Sequence, residues 1–241
     1  MTPKILLLQA RKPEDSAKDE ERQSFADRAG LGVEQFVPYD LLTGVPSLKE
    51  VRRYDALMVG GSGDYYVSKG NLPHFEATLH LLQEVTAVGH PVFASCFGFQ
   101  LLVQALGGEI VFDPENMEVG TFDLTLTPAG QQDEVLGILP PVFAAQLGRK
   151  DRAARLPPGA INLTYSRRIP YQALRIPGKP VWGTQFHPEL SLEDNRKRFV
   201  RYQAGYGSVM SKADLQKTLE RFGPSPETEK LLARFLEVVF G

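Results

Sequence analysis

The single cysteine of the chain, Cys96, stands in Pro91-Val92-Phe93-Ala94-Ser95-Cys96-Phe97-Gly98-Phe99-Gln100. A buried-strand pattern over Val92 to Ser95 runs without a loop into an almost wholly apolar helix pattern over Leu101 to Leu106. A turn of this kind lifts its central side chain, and small residues two before and two after it, here Ala94 and Gly98, let strand and helix close around a strained backbone. A helix N-terminus also favours the thiolate, the reactive form of cysteine. Free cysteine is equally among the most buried residue types, so Cys96 by itself reads as a core hydrophobe or as a nucleophile.

A nucleophilic thiol needs a base, and the base needs a group to hold its tautomer. Of the four histidines, His74 and His80 fall in a helical pattern and His90 in the turn before the cysteine strand. His187 instead follows a second buried-strand pattern directly, in Gln185-Phe186-His187-Pro188-Glu189. Chemistry in open α/β sheets collects at the carboxyl ends of strands, where Cys96 and His187 would meet. Pro188 stiffens the segment, and Glu189 is placed to hydrogen-bond the imidazole. A third apolar run, Ala56 to Val59, ends in Gly60-Gly61-Ser62-Gly63, where backbone N–H groups can approach a substrate closely. The N–H groups of Gly61 and Phe97 are candidate donors to an oxyanion. The glycines alone would fit a phosphate loop or a plain turn, but the Gly-Lys-Ser/Thr ending of a nucleotide loop is missing.

The elements that must position these residues alternate in the first half: apolar runs at Ile5 to Leu8, Ala56 to Val59 and Val92 to Ser95, with helical patterns around Asp19 to Ala29 and Phe75 to Val85 between them. That alternation predicts a parallel sheet with crossover helices. Phe122, Leu124 and Leu126, then Ile161, Leu163 and Tyr165, alternate with polar residues and predict antiparallel strands. After the strand pattern Val181 to Phe186, Ser191 and Asp194 form a capping-box start for a helix. Beyond Gly205, Leu215, Leu219 and Phe222 recur at helical spacing, and Ser225-Pro226-Glu227 opens a last amphipathic segment with Leu231, Leu232, Phe235 and Leu236, which predicts an appended helical hairpin.

Composition bounds the function. The 241 residues, 42% of them hydrophobic, suffice for one sizeable core, and 27 basic against 29 acidic residues provide no field for nucleic acid or an anionic membrane. No segment reaches the roughly 18 to 20 apolar residues of a membrane span, and the N-terminus lacks a signal-peptide pattern, so a cytoplasmic location is expected. One cysteine excludes an internal disulfide framework and a multi-cysteine zinc site; no metal and no organic cofactor is expected.

Together these residues resemble the class I (triad) glutamine amidotransferases. The resemblance rests on Cys96-Phe97-Gly98-Phe99-Gln100 with the following Leu101 to Gly108, on Glu118-Val119-Gly120, on Gly60-Gly61-Ser62 and on Gly183 to Glu189, and covers about residues 1 to 205. It implies an α/β fold of three layers, flavodoxin-like, with a mostly parallel central sheet and an additional antiparallel strand region; the C-terminal helical extension over 206–241, expected from its apolar spacing to pack on the same domain, lies outside the resemblance. It further implies Cys96, His187 and Glu189 as the triad, Gly61 and Phe97 at the oxyanion, and Gly60, Ser62 and Gln100 as substrate contacts. Ala94, Phe99 and Arg149 depart from the family's usual glycine, histidine or methionine, and histidine.

The implied reaction is release of ammonia from the γ-carboxamide of glutamine through a γ-glutamyl thioester. An amidotransferase passes ammonia to a synthetase, here expected on a separate subunit. A stand-alone γ-glutamyl peptide or amide hydrolase, and a non-catalytic interaction protein that keeps the fold, are the competing expectations. The apolar face of the tail leaves room for a homodimer.

Overall fold

The computed structural model describes residues 2–206 and 210–241. In chain order its strands are β1 (Ile5–Ala10), β2 (Phe36–Asp40), β3 (Ala56–Ser62), β4 (Val92–Ser95), β5 (Glu109–Phe112), β6 (Glu118–Leu126), β7 (Val142–Arg149), β8 (Asp151–Arg155), β9 (Ile161–Ser166), β10 (Ala173–Ile176) and β11 (Val181–Thr184). Its helices are α1 (Ala17–Ala29), α2 (Leu48–Val51), α3 (Phe75–Val88), α4 (Phe97–Ala105), α5 (Pro128–Gln131), α6 (Leu192–Arg201), α7 (Gln203–Tyr206), α8 (Lys212–Leu219) and α9 (Leu231–Phe240).

One nine-stranded sheet runs in the order β2-β1-β3-β4-β11-β10-β9-β6-β7. The pairings from β2 to β11 are parallel and those from β11 to β7 antiparallel, so the two halves differ as their sequence patterns predict. β2 carries Pro38, which hides it from a strand pattern; its place at the sheet edge, where a missing N–H costs least, is where proline is tolerated. β5 and β8 form a separate two-stranded sheet that no alternation announces.

Period-two burial sorts the side chains onto two faces. Ile5, Leu7, Met58, Phe93 and Trp182 pack with Phe25 and Ala26 of α1 and with α9, whereas Leu6, Leu8, Leu57, Val59, Val92 and Ala94 pack with α3 and α4. The result is helices on both faces of a mixed sheet.

The C-terminal extension is not a hairpin packed on itself. Leu215 of α8 joins Val119 and Phe199, with Leu219 and Phe222 against them, while Leu231, Leu232, Phe235 and Leu236 of α9 enter the main core. Each apolar stripe finds a different surface to cover, which explains two helical patterns without mutual pairing. The junction at residues 207–209 lies outside the described residues. Among the described residues, no helix is long and apolar enough to cross a membrane.

Candidate active site

Cys96 joins β4 to α4 with φ 49° and ψ −98°, a conformation that L-residues rarely adopt. Two neighbours enforce it. The Cys96 N–H donates to the Thr184 carbonyl at 2.7 Å, tying the turn to β11, and Gly98 lies so close to β3 that a Cβ there would stand 2.5 Å from the Val59 carbonyl oxygen. The backbone is held where the strand-to-helix pattern places it.

β4 and β11 are parallel neighbours, with Ser95 opposite Thr184, so the segments leaving their carboxyl ends emerge side by side. This brings Cys96, His187 and Glu189 together. His187 Nδ1 lies 2.6 Å from Glu189 Oε1, and His187 lines the same pocket as Cys96. Ser95 Oγ donates to Glu189 Oε2 at 2.7 Å. Arg198 Nη1 stands 3.6 Å from Glu189 Oε1.

Electrostatics fix the charge states. Burial disfavours a charged His187, but the charges of Cys96 and Glu189 and the hydrogen bond to Glu189 outweigh it and lift the imidazole to about 10. Burial would likewise raise Glu189, yet His187, then Arg198 and the Ser95 hydroxyl, draw it down to about 2. An imidazolium held between a sulfur and a carboxylate is the favoured arrangement.

The glycine cluster behaves differently from its sequence reading. Gly60 and Gly61 continue β3, because Ala10 of β1 pairs with Ser62 after a register shift, so the segment is a strand and not a loop. The Gly61 N–H donates to Oε1 of the fully buried Glu21 at 3.1 Å. A Cβ on Gly60 would stand 2.8 Å from the same carboxyl group, so the glycine is what admits Glu21. Ser62 lines the pocket beside Cys96, and its Oγ accepts the Tyr65 N–H at 3.0 Å. Phe97 opens α4, where helix geometry leaves its N–H without an intrahelical acceptor.

Gln100 lines the pocket with its carboxamide nitrogen engaged within the protein: Nε2 donates to the Asp151 carbonyl and to Gln185 Oε1, each at 3.1 Å. Arg149 is buried beside Glu118, with Nη2 2.6 Å from Oε2, while its Nε and Nη1 have no hydrogen-bond partner among the described residues. Arg198 Nη1 and Nη2 likewise have no hydrogen-bond partner among the described residues, Nη1 standing 3.6 Å from Glu189 Oε1 and 3.8 Å from Glu21 Oε1. The pocket containing Cys96 and His187 is therefore lined by guanidinium donors suited to an anionic group.

Several of these residues were not picked out from the sequence. Glu21, Arg11 and Arg198 form a buried cluster, with Arg11 Nη2 2.7 Å from Glu21 Oε1, directly behind β3 and Glu189. The signal was present: Glu21 shares a helical stripe with buried Ala17 and Phe25, and Arg198 one with buried Asn195 and Phe199. A charged residue on an apolar stripe marks a buried polar site.

Comparison with known proteins gives this geometry a family. The model of the glutamine amidotransferase class-I family matches residues 35–204. A GMP synthase (glutamine-hydrolyzing) from Streptococcus pneumoniae is 28% identical over 145 residues, 59% of this chain but 26% of that protein, so the chain spans about a quarter of the curated relative it matches. A glutamine amidotransferase from Thermotoga maritima shares the fold at a TM-score of 0.72, with 19% identity, covering 98% of this chain and 97% of that one. One from Methylobacillus flagellatus does so at 0.69 and 19% identity, covering 98% and 95%. The family model covers well over half of the 241 residues, and the chain belongs to the class I glutamine amidotransferases.

Proposed function

We propose that the chain releases ammonia from the γ-carboxamide of glutamine through a γ-glutamyl thioester on Cys96, with His187 as acid and base and Glu189 as its orienting carboxylate. The observation that carries this reading is the strained Cys96 at the head of α4, beside an imidazole whose far nitrogen is 2.6 Å from a buried carboxylate.

In this reading the Cys96 thiolate attacks the γ-carbonyl carbon, and the Phe97 N–H receives the developing oxyanion. The imidazolium of His187 protonates the departing nitrogen, which leaves as ammonia. Water then gives a proton to His187, attacks the thioester carbon and expels the thiolate, leaving glutamate. The Gly61 N–H joins as a second donor only when it exchanges Glu21 for the oxyanion. The unpartnered nitrogens of Arg149 and Arg198 suit the substrate's α-carboxylate. The S. pneumoniae relative is a much longer protein named for GMP synthesis, and the match to a quarter of it supports an ammonia-accepting synthetase as partner for this chain.

The experiment measures ammonia from glutamine and from γ-glutamyl amides in parallel, for the unaltered protein and for Cys96→Ser. Turnover should fall at least about a thousandfold in the variant without loss of folding. Preference for γ-glutamyl amides would change the substrate and keep the chemistry. Full activity in Cys96→Ser, or failure of an electrophilic glutamine analogue to label Cys96, would end the reading.

A further inference from the structure

The imidazole is not the only polar group beside the Cys96 sulfur. Gln185 Nε2 lies 3.6 Å from Cys96 Sγ, and the Gln185 side chain is fully buried. The sheet puts it there: β4 and β11 end in register, so the residue after Thr184 stands beside the residue after Ser95.

Which end of the carboxamide faces the sulfur decides its effect, since an N–H favours a thiolate and an oxygen opposes one. The orientation is fixed from the far end of a short chain of bonds. A backbone carbonyl can only accept, so the Gln100 atom 3.1 Å from the Asp151 oxygen is Nε2. That same nitrogen is 3.1 Å from Gln185, which must present Oε1 to it and so turns its own Nε2 toward the sulfur.

We propose that Gln185 is a catalytic residue, donating a hydrogen bond to the Cys96 thiolate, and that Gln100 is a positioning residue acting through it. This rests on Cys96 being the nucleophile. The bond weakens when the sulfur becomes a neutral thioester and returns when the thiolate is expelled, so the donor assists thioester hydrolysis by stabilising the leaving group. It also gives Gln100 a role other than substrate contact.

The charged groups around the sulfur stay the same when the amide is changed. His187 faces it from the segment after β11, with Glu189 behind, and Arg149 acts on it from the end of β7. Arg11, Lys150, Asp151 and Arg198 line the same pocket from β8, α6 and the segments beside β1 and β7.

Because Cys96 is the only cysteine, the pH dependence of iodoacetamide alkylation reports it alone. Gln185→Met keeps the shape and removes the donor. Its alkylation midpoint should rise by about one pH unit, a roughly tenfold loss of thiolate below the midpoint, as expected for a hydrogen bond to a charged group. Gln100→Met should shift it the same way by less, because the Gln185 amide is then free to turn over. A lowered melting temperature with an unmoved midpoint would make both residues merely structural and overturn the proposal. Should the variants not fold, the Gln185 side-chain amide protons of the unaltered protein must follow the thiol titration in NMR spectra; amides that ignore it overturn the proposal as well. If Cys96→Ser abolishes turnover but the Gln185→Met midpoint is unchanged, only this inference fails. If Cys96→Ser stays active, the functional reading fails first.

Discussion

The carboxylate of Glu21 accepts the N–H of Gly61 at 3.1 Å, so a strand proposed to serve the oxyanion has that donor engaged by an internal anion. Arg11 and, at longer range, Arg198 hold Glu21 in place. Glu21→Gln keeps the shape but weakens the acceptor, because a neutral amide oxygen competes less well for an N–H than a carboxylate. The unfolding free energy should fall by about 3 kcal/mol as buried Arg11 loses its nearest counter-charge and Arg198 one of its two. The kcat for glutamine should nonetheless rise, by up to about tenfold, as the Gly61 N–H becomes available. A lower kcat at unchanged KM would show that Gly61 does not serve the oxyanion and that Glu21 only supports the strand.

Gly98→Ala tests how the strained turn is held. Alanine gains about 1 kcal/mol of helix propensity over glycine in α4. Its methyl group would stand 2.5 Å from the Val59 carbonyl oxygen and 2.8 Å from the Val59 Cβ, so α4 must lift from β3. Overpacking of this kind costs about 1–3 kcal/mol, and the clash should win. The expected result is a lower melting temperature together with slower labelling of Cys96 by an electrophilic glutamine analogue. Unchanged labelling would mean that the turn does not depend on contact with β3.

The His187–Glu189 pair should leave a pH signature. His187 is raised from 6.5 to about 10, so its contribution to stability is complete below 6.5 and fades as pH climbs toward 10. Glu189 is lowered from 4.5 to about 2, so its contribution is complete above 4.5 and fades as pH falls toward 2. The gap in melting temperature between the unaltered protein and Glu189→Gln should be widest between 4.5 and 6.5 and narrow on both sides. Loss of the orienting carboxylate should also cost about 10²–10⁴ in kcat. A gap that does not vary with pH would mean that no ion pair forms.

What the sequence made legible follows from distance along the chain. The Cys96 turn is local, and its strain, its small neighbours and its helix all lie within a few residues. His187 and Glu189 are likewise two residues apart, and Ser191 with Asp194 forms the capping box that starts α6. The Arg11–Glu21–Arg198 cluster depends on α1 and α6 meeting across β3 and Glu189, and no local pattern encodes that meeting. Gln185 stood in plain view, but its contact with sulfur needs the register of β4 against β11. Pro38 concealed β2 because a strand pattern assumes a full set of N–H donors, which an edge strand does not need.

Phe235 of α9 ties the C-terminal extension to the site. It is fully buried, with its ring 5.4 Å from Phe93 and 5.8 Å from Trp182 between centroids, and both contacts are edge-on. Phe93 belongs to β4 and Trp182 to β11, so one side chain braces from behind the two strands whose ends carry Cys96 and His187. Phe235→Ala removes a ring from a packed core and should cost about 3–5 kcal/mol in urea unfolding. Because those strands set the spacing between sulfur and imidazole, kcat should also fall severalfold at temperatures well below the melting point. Phe235→Leu, which refills most of the space, should recover both quantities in part. If stability falls as expected while kcat holds, α9 is a clamp on the core alone, and the spacing of Cys96 and His187 is set by the β4–β11 hydrogen bonds without its help.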